Sequence, residues 1–418
     1  MNIILFYQHI SREYGSLLKI KEELQKISST GCTIRIRSID FEWSQACREA
    51  QKYGVDVVVM PWLYVDINYA LLVPFFDANP NLKVINLHQE QLSSPGSEII
   101  LAPKGEYQRN GCFHFSWGGY YRFRLLESGV RDELIYVVGN ARLDELAQAP
   151  EPGLRSRLAA EYGLDSNKKW VLFAESRGWV YKATDSYRRE TLNMGISEAT
   201  YDTGLEIEKE SLRLFLEQLN ALPDSFFEGH EFIYRAHPGT SADENIDSRA
   251  RVISALPIGT WLKAIDVMVM WNSTSAFEAE MCGVPVLRHE PVDNPAWHRV
   301  CGLDAFPLIQ DLAEIPDALD GRDQPHAAYE FYFGPFDGKR SCAVAHKIVE
   351  IAHGEVTHER GFRLSTDLKK QIQRKRLFEF ASRLTCRVGL LERIKWPKSA
   401  YYEINDIPYY RKNISSQG

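Results

Sequence analysis

The sequence predicts two Rossmann-like α/β domains facing across a cleft, followed by a helical C-terminal region. Three observations predict this. Short, near-continuous apolar runs alternate with segments of helical period, which is the pattern of a parallel sheet covered on both faces. The alternation restarts after the Pro/Gly stretch Gln148-Ala149-Pro150-Glu151-Pro152-Gly153, which reads as a linker. At 418 residues the chain is long for one core and comfortable for two, and a cleft between two domains is the default place for a ligand. The expected bounds are 1–147, 154–341 and 342–418.

In the first domain the expected strands are Ile3–Phe6, Thr33–Arg37, Val55–Met60, Lys83–Leu87, Phe113–Ser116 and Leu134–Val138. The segments Tyr14–Ser28, Trp43–Tyr53, Ile67–Asp77 and Tyr120–Ser128 carry apolar residues at three- and four-residue steps and read as helices. No G-x-G-x-x-G follows the first strand, so no dinucleotide cofactor is expected. The second domain opens with a helix at Leu154–Tyr162 and a strand at Trp170–Ala174. Trp179–Leu205 shows no clear period and reads as a long loop, and Ile207–Leu222 reads as a helix. A strand near Pro307–Ile309 closes the domain, and a helix at Cys342–Ala352 follows.

Composition narrows the function. The net charge of −7 excludes a general nucleic-acid binder. Seven scattered cysteines with no C-x-x-C pair fit a reducing compartment and no structural zinc site. Met1–Tyr7 is an apolar run without a basic leader, which reads as a buried strand and not a signal peptide. The best candidate for a membrane span, Val55–Val65, is broken by Asp56 and Pro61. The expected location is cytoplasmic.

The second domain is organised around Glu231–Arg288. A strand ends in His237-Pro238-Gly239, because proline cannot donate to a sheet ladder, and this leaves the imidazole at the sheet's rim. A second short strand is expected at Arg251–Ser254, a helix start at Gly259–Trp261, and a strand at Asp266–Trp271. That strand opens into Asn272-Ser273-Thr274-Ser275, then a helix carrying Glu278, then Gly283-Val284-Pro285-Val286. Hydroxyls at a strand-to-helix turn, with a helix's orphan N–H groups, suit an anion such as a nucleotide phosphate. The alternatives are a histidine that only caps a strand and serines that only cap a helix.

Taken together, these residues resemble the B-fold (GT-B) glycosyltransferases of bacterial surface-carbohydrate synthesis. The resemblance rests on Arg235-Ala236-His237-Pro238, Ser273-Thr274-Ser275-Ala276-Phe277-Glu278-Ala279 and Gly283-Val284-Pro285, with Trp117-Gly118 and Gly139-Asn140-Ala141-Arg142-Leu143-Asp144 in the first half. It is similar to the capsule and lipopolysaccharide β-Kdo transferases, whose His-Pro motif and Ser-rich turn bind CMP, and more distantly to the CDP-glycerol glycerophosphotransferases. The resemblance implies transfer of a sugar, Kdo, from a CMP-activated donor to a surface polysaccharide or lipopolysaccharide acceptor. It also implies that a C-terminal helix crosses back to pack on the first domain. Other readings are a UDP-sugar transferase, a nucleotide-sugar epimerase and a nucleotide-binding regulatory protein.

Such chemistry needs a carboxylate near the anomeric carbon, as base or as nucleophile. Residues just past strand ends line the crevice of an open parallel sheet. Glu90 is expected as the base, with His88, Gln91 and Trp117 as acceptor contacts, and Glu175 as nucleophile or donor contact. Each carboxylate could instead be structural, bonded to loop N–H groups. Asn140, Arg142, Ser176, Arg177, His237, Pro238, Ser273, Thr274, Ser275 and Glu278 are expected to hold the nucleotide-sugar. With no D-x-D, nothing in the chain requires a metal or other cofactor.

Thr366–Asn413 carries twelve Lys or Arg against five Asp or Glu, interleaved with aromatics such as Phe380, Trp396 and Tyr401. Basic helices studded with aromatics read as contacts with an anionic membrane or a partner enzyme, here at the inner face of the cytoplasmic membrane with a lipid-linked acceptor.

Overall fold

The computed structural model describes residues 1–27, 31–236, 245–253, 255–319, 329–354 and 366–387. The chain divides into two units. The first holds Met1–Gln91, Leu101–Asp144 and Glu330–Gly418, and the second holds Leu92–Ile100 and Glu145–Tyr329.

The first unit is built on strands β1 (Asn2–Tyr7), β2 (Thr33–Ser38), β3 (Val57–Met60), β4 (Lys83–Asn86), β5 (Phe113–Ser116) and β6 (Ile135–Val137), in the order β2-β1-β3-β4-β5-β6. Every pairing is parallel, with Ile3 opposite both Ile34 and Val57. Two apolar clusters lie on the two faces. One contains Ile3, Leu5, Val57 and Val59, and the other contains Ile4, Phe6, Val58 and Met60. Alternate side chains of one strand point to opposite faces, so both faces being buried is what makes these runs continuously apolar.

The second unit repeats the plan with β7 (Lys169–Ala174), β8 (His230–Arg235), β9 (Arg251–Val252), β10 (Val267–Met270), β11 (Val286–His289) and β12 (Leu308–Ile309), in the order β12-β11-β10-β7-β8-β9. All pairings are again parallel, with Met270 opposite Ala174. The expected two-domain α/β class is therefore the observed one.

The sequence reading needs correction in three places. The stretch 179–205 is not a loop: helices Gly178–Lys182 and Asp185–Asn193 precede a long helix, Glu198–Ala221, that Ser197 caps by accepting from Thr200 N–H. The expected single helix Ile67–Asp77 is two short ones, Asp66–Tyr69 and Val73–Ala78, the second starting around Pro74. Nor does the helix Arg340–His353 begin a separate region. Its face Val344, Ala345, Ile348 and Ile351 is part of the first unit's core. Asp144 caps its start by accepting from Arg340 N–H at 2.9 Å and Ser341 N–H at 2.6 Å. Lys83 caps its end through Nζ donation to the carbonyls of Ala352 and Gly354, both at 2.7 Å. The last described helix, Thr366–Arg387, also belongs to the first unit. Residues 388–413 of the basic stretch lie outside the described residues.

Candidate functional site

In the second unit the chain leaves β7 for β8 and β9 on one side of the sheet, then returns to β10 on the other. The loops that follow β7 and β10 therefore diverge at a topological switch point, where open parallel sheets bind ligands. The loops are tied together there: Asn272 N–H donates to Ser176 Oγ at 3.0 Å. The Asn272 side chain holds the next layer, donating through Nδ2 to His298 O at 2.9 Å and accepting at Oδ1 from Val300 N–H at 2.8 Å. Ser273, Thr274 and Ser275 follow, all partly exposed, with Ser275 N–H 3.3 Å from Ser273 Oγ.

The helix Ser275–Met281 anchors the turn by burying Ala276, Phe277 and Ala279, and leaves Glu278 partly exposed. It ends at Gly283, whose φ of +72° lets Val284 N–H reach back to Ala279 O at 2.9 Å and turns the chain into β11. This turn, Ser176 and the adjoining Asn272 make up the part of the expected donor site that the structure brings together.

Glu175 and Arg177 do not belong to that surface. Both side chains are fully buried, with Arg177 Nη1 donating to Glu175 Oε2 at 2.8 Å. Glu175 Oε1 accepts from the N–H groups of Ser176 and Arg177, both at 2.8 Å, and Oε2 also accepts from the Tyr234 hydroxyl at 2.9 Å. Arg177 Nε donates to Ser211 Oγ at 3.0 Å, and the guanidinium lies 5.2 Å from the Phe215 ring centroid and 5.5 Å from those of Phe173 and Trp271. With every side-chain nitrogen and oxygen of this pair hydrogen-bonded inside the protein, Glu175, expected as nucleophile, and Arg177, expected as nucleotide contact, form the frame that sets the position of Ser176. Glu175 makes the bonds to loop N–H groups that the structural alternative describes.

Three polar residues beside this frame carried no sequence signal. Glu208, on the long helix, accepts from Trp179 N–H at 2.8 Å and Val180 N–H at 3.1 Å, and so caps the helix Gly178–Lys182. Burial pushes its carboxyl up to about 8. His298 Nε2 lies 3.8 Å from Glu208 Oε1, while its Nδ1 is 2.8 Å from Asn294 Oδ1, and burial holds the imidazole down at about 4. At neutral pH the Glu208 carboxyl is thus largely protonated and His298 is neutral.

In the first unit the residues after β4 split into two groups. His88 is fully buried with a φ of +50°, stacked on His114 and 2.9 Å from the Tyr121 hydroxyl through Nδ1. Its Nε2 lies 2.8 Å from His114 Nδ1, and His114 Nε2 lies 2.6 Å from Gln108 O. A carbonyl can only accept, so His114 carries its proton on Nε2 and accepts at Nδ1 from His88. Burial holds both imidazoles below their ordinary range, His114 at about 4.

Gln91 is equally enclosed: Nε2 donates to His88 O and Phe115 O, and Oε1 accepts from Trp117 N–H. Trp117 is buried against Phe333, with ring centroids 5.5 Å apart. The three expected acceptor contacts therefore form an internal brace. Glu90 is different: 47 % of its side chain is exposed, and it pairs with Arg12 Nη1 at 3.2 Å. Beneath it Glu13, on a π-helical turn Ile10–Tyr14, accepts from Gln8 N–H at 2.7 Å. Burial, with the Glu90 charge adding to it, pushes the Glu13 carboxyl up to about 8.

Asn140 is also buried and accepts at Oδ1 from Arg142 N–H at 3.0 Å, so it shapes its own turn, whereas Arg142 is partly exposed. His237 and Pro238 lie outside the described residues. Among the described residues no group of three His, Cys, Asp or Glu side chains is arranged to hold a metal ion, and no helix is long and apolar enough to cross a membrane.

No protein-family model matches the chain, and no curated protein matches it. Solved structures do match. A protein from Listeria monocytogenes assigned as a UDP-N-acetylglucosamine 2-epimerase superposes with a TM-score of 0.52 at 13% identity, over 87% of this chain and 99% of its own. S. aureus MnaA, in a structure with UDP, gives 0.50 at 13% identity over 83% and 94%. The wall teichoic acid polymerase TagF gives 0.50 at 12% identity over 84% and 89%. At these identities the likeness establishes the fold, which is GT-B-like: two Rossmann-like units in one chain.

Proposed function

We propose that this chain is a nucleotide-sugar-dependent glycosyltransferase whose second unit holds the donor by its phosphate. The observation that carries the reading is the partly exposed turn Ser273–Ser275 at the switch point of the second sheet, braced by Ser176 and Asn272. Hydroxyls held in a fixed turn offer several donors to phosphate oxygens without reorganisation. We take the donor to be CMP-activated, with Kdo as its sugar, from the order of His237-Pro238 and the Ser-rich turn in the sequence.

In the step proposed, the acceptor hydroxyl oxygen bonds to the anomeric carbon while the bond from that carbon to the phosphate oxygen breaks. Glu90 takes the hydroxyl proton, and the nucleotide leaves with the bonding pair as a phosphate anion. Ser273, Thr274, Ser275, Arg142 and His237 are the proposed partners of that charge. The acceptor is a surface glycan.

A second reading follows from S. aureus MnaA, whose structure contains UDP. On that reading the same turn would hold a UDP-sugar, in a transferase or an epimerase. A thermal-shift series with CMP, CDP, UDP and GDP tests both, because a nucleotide present at about 100 times its Kd stabilises the native state by about 2.7 kcal/mol. The expected result is a shift with CMP and nucleotide release that depends on acceptor glycan. A shift with UDP alone, with sugar isomerised and no acceptor needed, would establish the second reading. No shift with any of the four would remove both.

A further inference from the structure

We propose that the outer face of the helix Thr366–Arg387 is a docking surface for an anionic lipid bilayer. The helix has two faces with different work. Its inner face is fixed to the first unit by polar anchors: Lys375 Nζ donates to the buried Asp40 Oδ1 at 2.9 Å, and the buried Glu379 Oε2 accepts from Ser44 N–H at 2.8 Å and Ser44 Oγ at 2.5 Å. Ile372 adds an apolar contact with the core of that unit.

The outer face carries Leu377, Phe380 and Leu384, which are 69%, 66% and 52% exposed. These follow at steps of three and four residues and so lie in one strip. The exposed basic residues fall on both sides of it: at 100° per residue Arg376 and Lys369 flank Phe380, and Lys370 and Arg374 flank Leu377, all within an arc of about 160°. Where the helix runs beside the helix Trp43–Tyr53, Arg48, Arg376, Arg383, Cys47, Phe380 and Leu384 line a groove of about 610 Å³.

An apolar strip between two basic edges fits a bilayer interface, with the strip entering the acyl boundary and the guanidinium and ammonium groups at the phosphates. Charge separates this occupant from the others. The whole chain is net negative at −7, yet the helix Thr366–Arg387 has seven cationic residues against two anionic ones, so an anionic surface attracts this helix and repels the net charge of the remainder. A second copy of the chain seated here by a twofold axis would bring the same basic edges together, at an electrostatic cost. The inner anchors leave the strip facing outward without any unfolding of the helix, and none of these residues belongs to the proposed donor turn.

The test is flotation of the full-length protein with vesicles of phosphatidylcholine alone and with about 30 mol% phosphatidylglycerol, at about 50 and 500 mM NaCl. The wild type is expected to float with the anionic vesicles at low salt, and to lose most of that binding in high salt and on neutral vesicles. Leu377→Ser/Phe380→Ser and Lys369→Glu/Arg374→Glu should each lower the bound fraction about tenfold or more, with melting temperature unchanged, because these side chains are exposed. Absent or salt-independent binding by the wild type overturns the proposal without reference to any variant. Wild-type binding in both variants overturns it as well. A concentration-dependent dimer that Leu377→Ser/Phe380→Ser dissociates would assign the face to a second copy.

Discussion

Arg177 Nη1 donates to Glu175 Oε2 at 2.8 Å within a shell that excludes solvent from both side chains. The pair spans the turn after β7 and is held from β8 by the Tyr234 hydroxyl, so two chain segments meet at one carboxylate. Removing one member leaves the other as a buried charge, which costs about 3–5 kcal/mol. Arg177→Met should therefore lower the unfolding free energy by that amount in a urea titration. Glu175→Gln should also destabilise, since the buried guanidinium keeps its charge and loses its counter-ion. A variant of either residue with wild-type stability and lost turnover would return the pair to the chemistry.

Stability should fall as pH rises from about 7 to 8. The Glu208 and Glu13 carboxyls, at about 8 in the folded chain, sit above their ordinary value of 4.5. Over that interval the folded state keeps protons that the unfolded state has released, so each group contributes a decline of about 1.4 kcal/mol per pH unit. His114 and His298, both at about 4 against an ordinary 6.5, with His289 at about 3 and His88 also depressed, act in the opposite direction; their effect fades as the unfolded imidazoles lose their protons and is down to about a tenth by pH 7.5. The window above about 7.5 isolates the carboxyls. Glu208→Gln should flatten the slope there, read as the change of denaturation midpoint with pH, and a slope equal to the wild type would show that Glu208 ionises normally.

The strands were legible because buried β residues repeat one chemical type: Val57-Val58-Val59-Met60 and Val267-Met268-Val269-Met270 admit few other readings. Of the helix Glu198–Ala221 only the second part was, as Ile207–Leu222, and the reason its start was not lies in its inner face. Gly204, Glu208 and Ser211 occupy positions where an amphipathic helix shows apolar residues. Gly204 is there because an added Cβ would come within 2.2 Å of the Trp179 ring, and Glu208 and Ser211 are there to satisfy the Trp179 amide and Arg177. The hydroxyl turn was legible as a strand-to-helix junction. That Glu175 faces inward was not, because its partners Tyr234 and Arg177 are joined to it only by the parallel pairing of β7 with β8 and by a bend in the loop. His88, Gln91 and Trp117 misled the reading in the same way: a polar cluster after a strand end looks alike whether it lines a crevice or braces a loop.

The hydroxyl turn should affect nucleotide affinity and little else. Ser273, Thr274 and Ser275 are partly exposed and contribute little packing, and a hydrogen bond to a charged acceptor is worth about 1.5–3 kcal/mol. Ser273→Ala/Ser275→Ala should weaken nucleotide binding by at least about tenfold by calorimetry, with an unchanged melting temperature in the absence of nucleotide. Asn272→Ala differs, because it removes the links to His298 O and Val300 N–H. It should lower both affinity and stability. Unchanged nucleotide affinity in the double serine variant would move the phosphate away from this turn.

The last expectation concerns Glu90, the exposed carboxylate after β4. Its neighbour Glu13 is held near 8, so around neutral pH a second full negative charge is largely absent beside Glu90, and Arg12 pairs with Glu90 at 3.2 Å. An exposed carboxylate past a strand end can take the proton of an acceptor hydroxyl. Glu90→Gln keeps the shape and removes the charge, and should lower kcat by about two to four decades with nucleotide affinity unchanged. Glu13→Gln, on the turn after β1, offers a control: it mimics the protonated carboxyl, and so should leave turnover near neutral pH close to wild type while changing its decline above pH 8. If Glu13→Gln abolishes turnover and Glu90→Gln spares it, the proton acceptor is the buried carboxylate and the exposed one serves only to raise its basicity.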